Sequence, residues 1–151
     1  MARTFNSVTF PDRLHLAKTP GSGLKKKWWY LGLWTSSDGS NWDLTKDFRA
    51  VWTDDEGKKQ SYTAKAGLIT DMSSVPWFFQ GLPGMQKAGK KVFASIIHDD
   101  IYERRGLPEG WSREEADLFL FHGWRASGVV WATAKSGYRA VRLGGGKAWR
   151  T

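Results

Sequence analysis

The chain has no cysteine, and only three histidines in 151 residues. Without thiols, a disulfide framework and every thiolate metal site are excluded, which fits a reducing compartment or a virus particle better than an oxidising exterior. No two histidines stand at metal-ligand spacing, so no zinc site is expected. There is no apolar run of about 18 residues, and so no transmembrane segment is expected. The opening MARTFNSVTF lacks the apolar centre of a secretion signal, and none is expected. Acids are the scarcer charge. Fifteen Asp and Glu stand against 23 Lys and Arg, a net charge of +8. Such a field favours anionic partners: nucleic acid, lipid headgroups or acidic protein faces. The basic residues are scattered, apart from Lys25-Lys26-Lys27 and Arg104-Arg105. The plainest reading of the charge is a solvated surface.

Tryptophan is abundant, with ten in the chain. Some of these must fill a core, and the number leaves several for a binding face. The length suits a single domain with its own core. Its first part, residues 1–70, reads as β-rich. FRAVWT puts Phe48, Ala50 and Trp52 on one face, and YTAKAGL puts Tyr62, Ala64, Ala66 and Leu68 on one face. The turn DDEGKK between them predicts a hairpin. KKWWYLGLW predicts a further strand, and SSDGSN a turn after it. A loop rich in Gly, Pro and aromatics spans 69–88, and a loop of that length is usually functional or mobile.

Residues 89–144 read as helical. KKVFASIIHDDIYERRG carries Phe93, Ile97 and Ile101 at helical spacing, with Gly106 as the expected C-cap. WSREEADLFLFHGWRASG opens on Ser112 and Glu115, a capping box. VVWATAKSGYRAVRLGGG repeats apolar groups at Trp131, Ala134, Tyr138 and Val141 and stops at Gly144. The order predicts an α+β fold: an N-terminal antiparallel sheet of about four strands, then three C-terminal helices.

His98 and Tyr102 are four apart at the edge of the apolar stripe of the first helix, so their side chains meet. Asp117 sits in an apolar stretch of the next helix, where a carboxylate needs a partner. A short connection makes the two helices antiparallel neighbours and lets His98 and Asp117 face each other. A carboxylate on one ring nitrogen fixes the tautomer and leaves the other nitrogen able to take a proton from water. The plainer alternative is a satisfied hydrogen bond between helices. Asp99 reads as a solvated side chain or as a ligand for a hard cation, helped by backbone oxygens of a nearby loop. Asp71 reads as a turn cap or as a further member of the same site, and Ser73 or Ser74 as a nucleophile that nothing in the spacing demands.

GLITDMSSVPWFF, ASIIHDDIY, REEADLFLF and GYRAVRLGGGKAW together resemble a family of small phage and prophage proteins catalogued as a domain of unknown function. The matching residues are Thr70, Asp71, Ser74, Pro76, His98, Asp99, Tyr102, Ala116 and Asp117, in the pattern T-D-x-x-S-x-P, H-D-x-x-Y, A-D. The resemblance spans roughly residues 65–150. It implies a tailed-phage origin and a virion- or tail-associated structural protein, found in the particle or in host cytoplasm during assembly. Its partners would be other phage structural proteins. The helix pair alone is also similar to calcium-dependent His/Asp phospholipases of the parvovirus-capsid type. That similarity implies His98 as base, Asp117 as its orienter, Tyr102 in support of Asp117, and Asp99 as a Ca2+ ligand beside the GLPG at 81–84. It points to a small hydrolase directed at anionic lipid or the host envelope. A nucleic-acid-binding phage protein is the third reading, carried by charge, although Lys135, Arg139 and Arg142 only approach a basic stripe.

Overall fold

The structure, a computed structural model, describes residues 2–19, 42–70 and 91–150. Its strands are β1 (Asn6–Thr9), β2 (Leu16–Lys18), β3 (Trp42–Leu44), β4 (Phe48–Thr53), β5 (Lys59–Ala64) and β6 (Ile69–Thr70). Four helices follow: α1 (Lys91–Glu103), α2 (Arg113–Ala126), α3 (Trp131–Gly144) and the short α4 (Gly146–Arg150). Antiparallel strands followed by helices make an α+β fold. The strands form two three-stranded sheets, β1-β4-β5 and β2-β3-β6, rather than about four strands in one. β2 and β6 have three and two residues, too short to show a period in the sequence.

Alternation builds the central hairpin. β4 and β5 pair with Phe48 opposite Ala64, Ala50 opposite Tyr62 and Trp52 opposite Gln60. Phe48, Ala50, Trp52, Tyr62 and Ala64 all point into the core. The turn is held by the Asp54 carboxylate, which accepts from the N–H groups of Glu56 and Lys58 and from the Gln60 amide. The period breaks after Ala64, earlier than YTAKAGL suggests. Ala66 is exposed, because its N–H and the Lys65 ammonium both bind the Asp47 carboxylate and bend the chain. The predicted strand in KKWWYLGLW, the turn at SSDGSN and nearly all of the predicted loop 69–88 lie outside the described residues.

The core joins both halves of the chain. Phe5 stacks on Trp111 and meets Trp52 and Phe119 at ring separations of 5.6, 5.5 and 5.5 Å. Burying each large apolar side chain of this kind contributes about 1.5–3 kcal/mol. A second cluster, with Ala94, Leu120, Trp124, Val129, Ala134 and Val141, fills the space between the helices. There α1 and α2 approach closely. A Cβ on Gly123 would lie 2.5 Å from that of Ala94, so glycine is what permits the contact.

The capping box forms as expected. The Ser112 hydroxyl accepts from the Glu115 N–H, and the Glu115 carboxylate accepts from the Ser112 N–H. A cap of this kind contributes about 1 kcal/mol. Two expectations are corrected. The left-handed residue that ends α1 is Arg105, at φ +54°, and Gly106 follows it at φ +75°. The N–H of Gly106 reaches the Ile101 carbonyl and that of Arg105 the Tyr102 carbonyl, the Schellman pattern. Trp131 lies off the buried stripe of α3, which is Thr133, Ala134, Gly137, Val141 and Gly144. α1 is also more than amphipathic. It is buried along nearly its whole length, from Lys91 to Tyr102, because strands and helices pack on different sides of it. Among the described residues, no helix is long and apolar enough to cross a membrane.

Candidate active site

His98, Asp99 and Asp100 are consecutive on α1, so the helix aims them about 100° apart. Each finds a different neighbour. His98 turns to α2, where its Nε2 lies 3.0 Å from Asp117 Oδ1. Asp99 turns to β6, where it accepts from the Thr70 hydroxyl at 2.7 Å. Asp100 turns to β5, where it accepts from the Tyr62 hydroxyl at 2.7 Å. Arg104, one turn on, donates to Asp100 from its Nε at 3.1 Å.

Asp117 is fully buried, and its charge is matched on both oxygens. The Tyr102 hydroxyl donates to Oδ1 at 2.6 Å, and the Arg142 guanidinium donates to Oδ2 at 2.9 Å. The pairing of His98 with Tyr102 follows from their spacing, and the two rings lie 4.2 Å apart. Arg142 comes from α3, and nothing local in the sequence singles it out. Its place is set in part by Arg113, which donates to the Arg142 carbonyl at 3.0 Å and ties the start of α2 to the end of α3. Beyond Arg142 the chain turns over the site. Gly145 crosses so close to Tyr102 that a Cβ there would stand 2.7 Å from the phenol oxygen. Trp149 of α4 then sets its ring edge against Tyr102 at 5.1 Å.

These contacts tune the acids. Burial disfavours the imidazolium of His98, but the Asp117 carboxylate, helped by Asp99, outweighs it and holds the ring above its ordinary value. Burial likewise disfavours ionised Asp117, but His98, Tyr102 and Arg142 outweigh it and hold the carboxyl below its ordinary range. Tyr102 is pushed up by burial and by the adjacent Asp117, so it stays a donor. At Asp100 burial prevails over Tyr62 and Arg104, and the carboxyl is raised.

The His98 ring is 4% exposed. Its Nδ1 is buried and has no hydrogen-bond partner among the described residues. The nearest acid to it is Asp99, at 3.8 Å, too long for a direct hydrogen bond. Ca2+ asks for six to eight oxygens. Among the described residues, no group of three or more metal-binding side chains assembles, so they do not by themselves make a calcium site. Asp71, Ser73, Ser74, Pro76 and the GLPG at 81–84 lie outside the described residues. Of the sequence-derived set, the structure thus brings together His98, Tyr102 and Asp117, with Asp99 alongside.

Residues 42–141 match the family described as "Protein of unknown function (DUF1353)", and the chain belongs to that family. No curated protein and no solved structure matches it.

Proposed function

We propose that this chain is a small hydrolase in which His98, held by Asp117, takes a proton from a water molecule that attacks an ester. The observation that supports this reading is the asymmetry of the His98 ring. Nε2 is engaged by Asp117 at 3.0 Å, while Nδ1, though buried, has no hydrogen-bond partner among the described residues, so the reading requires a water to enter beside it. With Nε2 donating to the carboxylate, the neutral ring keeps a lone pair on Nδ1. On this reading Nδ1 accepts the water proton as the oxygen bonds to the carbonyl carbon or phosphorus of the ester. The same proton then passes to the departing alkoxide as its bond breaks. Asp117, and Asp99 at 3.8 Å, stabilise the imidazolium between the two transfers. Tyr102 and Arg142 hold Asp117 in place and are positioning residues. Lipid of the host envelope is the substrate class proposed.

The test is hydrolysis of a panel of carboxylic and phosphate esters, phospholipid vesicles included, by the full chain and by His98→Gln. The expected loss is about 10²–10⁴-fold with the fold retained by circular dichroism. A folded variant of unchanged activity sinks the reading.

A second reading is a tailed-phage protein built into the virion or tail, with His98 and Asp117 as a polar latch between helices. The near-complete burial of the ring and the full set of donors on Asp117 favour such a latch. It expects the chain at fixed stoichiometry in purified particles, and its absence from them removes this reading.

A further inference from the structure

We infer that the outer face of α3 docks on an anionic phospholipid surface. The helix buries Thr133, Ala134, Gly137, Val141 and Gly144, and packs this stripe on α2. Among the described residues, none covers the opposite side. Trp131 is 59% exposed and Leu143 is 88% exposed, although both are large and apolar. Val130, just before the helix, is also exposed. Trp131, Lys135, Arg139 and Leu143 follow one another at four-residue steps and form a single ridge along the helix. The ridge is about 18 Å long at the rise of an α-helix. Its ends are apolar and its middle is cationic. No residue of α3 is acidic. The Lys135 ammonium rides over the rings of Phe121 and Tyr138 at 5.7 and 5.1 Å, with its apolar stem along the helix surface.

The charge of this face selects an anionic partner, and the chain as a whole, at +8, adds to the attraction. The apolar ends select among anionic partners. A nucleic-acid backbone uses the two cations and leaves Leu143 and Val130 in water. A lipid interface takes all of them: phosphates meet Lys135 and Arg139, the indole of Trp131 sits at headgroup level, and Leu143 enters the acyl boundary. This docking does not depend on the chemistry at His98, and its readout is binding alone.

The experiment is co-sedimentation of the full chain with vesicles of phosphatidylglycerol and phosphatidylcholine in equal parts, beside vesicles of phosphatidylcholine alone. Binding to the anionic vesicles is expected to be about tenfold tighter or more, and to weaken as salt is raised. W131A/L143A, both changes at exposed positions, is expected to weaken it about tenfold or more. K135Q/R139Q is expected to abolish the preference for anionic vesicles. Equal binding to the two vesicle types overturns the inference, as does anionic binding that W131A/L143A leaves unchanged. Tighter binding to duplex DNA than to the anionic vesicles, unaffected by W131A/L143A, assigns the face to nucleic acid and overturns it too.

Discussion

Asp100 and Asp117 are buried carboxylates with the same two kinds of donor, a tyrosine and an arginine, yet they are tuned in opposite directions. Asp100 accepts from Tyr62 and Arg104, and its carboxyl is raised. Asp117 accepts from Tyr102 and Arg142, and its carboxyl is lowered. Burial is the largest influence on both and pushes both upward. The difference is His98, which adds a third donor and, once protonated, a positive charge 3.0 Å away. A phenol and one guanidinium do not offset the burial of Asp100, whereas a phenol, a guanidinium and an imidazole more than offset that of Asp117. One cluster is a clasp between helix and sheet. The other ties α1, α2 and α3 together through a histidine, a tyrosine and an arginine on one carboxylate.

The largest test of this contrast is removal of each carboxylate. Asp117→Ala strands three donors in the core and is expected to cost about 3–5 kcal/mol in urea unfolding. Asp100→Ala strands mainly Tyr62 and is expected to cost about 1–3 kcal/mol. Equal losses would erase the distinction. The tyrosines come next. Tyr102→Phe and Tyr62→Phe each remove a hydrogen bond to a buried carboxyl group and are each expected to cost about 1–3 kcal/mol, the larger loss at Tyr102, whose partner Asp117 is the more deeply buried.

The pH dependence of stability should separate the two acids by sign. Asp117 lies below its ordinary 3.8 in the folded state. Its contribution is therefore present above that pH and is lost as pH falls through the folded value. The deficit of Asp117→Asn relative to the parent should shrink in acid. Asp100 lies above 3.8 in the folded state, so its contribution is present below that pH and is lost as pH rises. Asp100→Asn should gain on the parent as pH rises. His98, held above 6.5, contributes fully below that pH and loses its contribution as pH rises through the folded value. Urea midpoints from pH 2 to 9 check all three. The smallest expected effect concerns activity. A base must be deprotonated, so hydrolysis should rise with pH through a limb above 6.5. Asp99→Asn removes one of the charges that raise His98 and should move that limb to lower pH, with the rate on the plateau as the control.

What could be foreseen in the sequence was what local chemistry decides. The capping box at Ser112 and Glu115 is a four-residue pattern with one geometry. His98 and Tyr102 meet because helices bring residues four apart together. Asp117 stood out because a carboxylate among Ala116, Leu118 and Phe119 has to be matched. The partners that stayed hidden come from a distance. Arg142 looks like one more surface cation until α3 folds back, 25 residues after Asp117. Asp100 has only Arg104 as a partner in the local sequence until Tyr62, 38 residues earlier, reaches it. Ala66 and the C-cap expected at Gly106 depart from the pattern for a related reason, since a side-chain cap at Asp47 and a left-handed Arg105 override the periodicity that precedes them.

The run His98-Asp99-Asp100 also bears on the order in which the chain closes. Asp100 joins Tyr62 across 38 positions, Asp99 joins Thr70 across 29, and His98 joins Asp117 across 19. Closure entropy grows with the logarithm of loop length, so doubling from the shortest of these to the longest costs about 0.6 kcal/mol more. The first closure is also the one between two helices that can each form locally. Of the three contacts fanned out by one turn of α1, the one that assembles the proposed chemistry asks least of the searching chain.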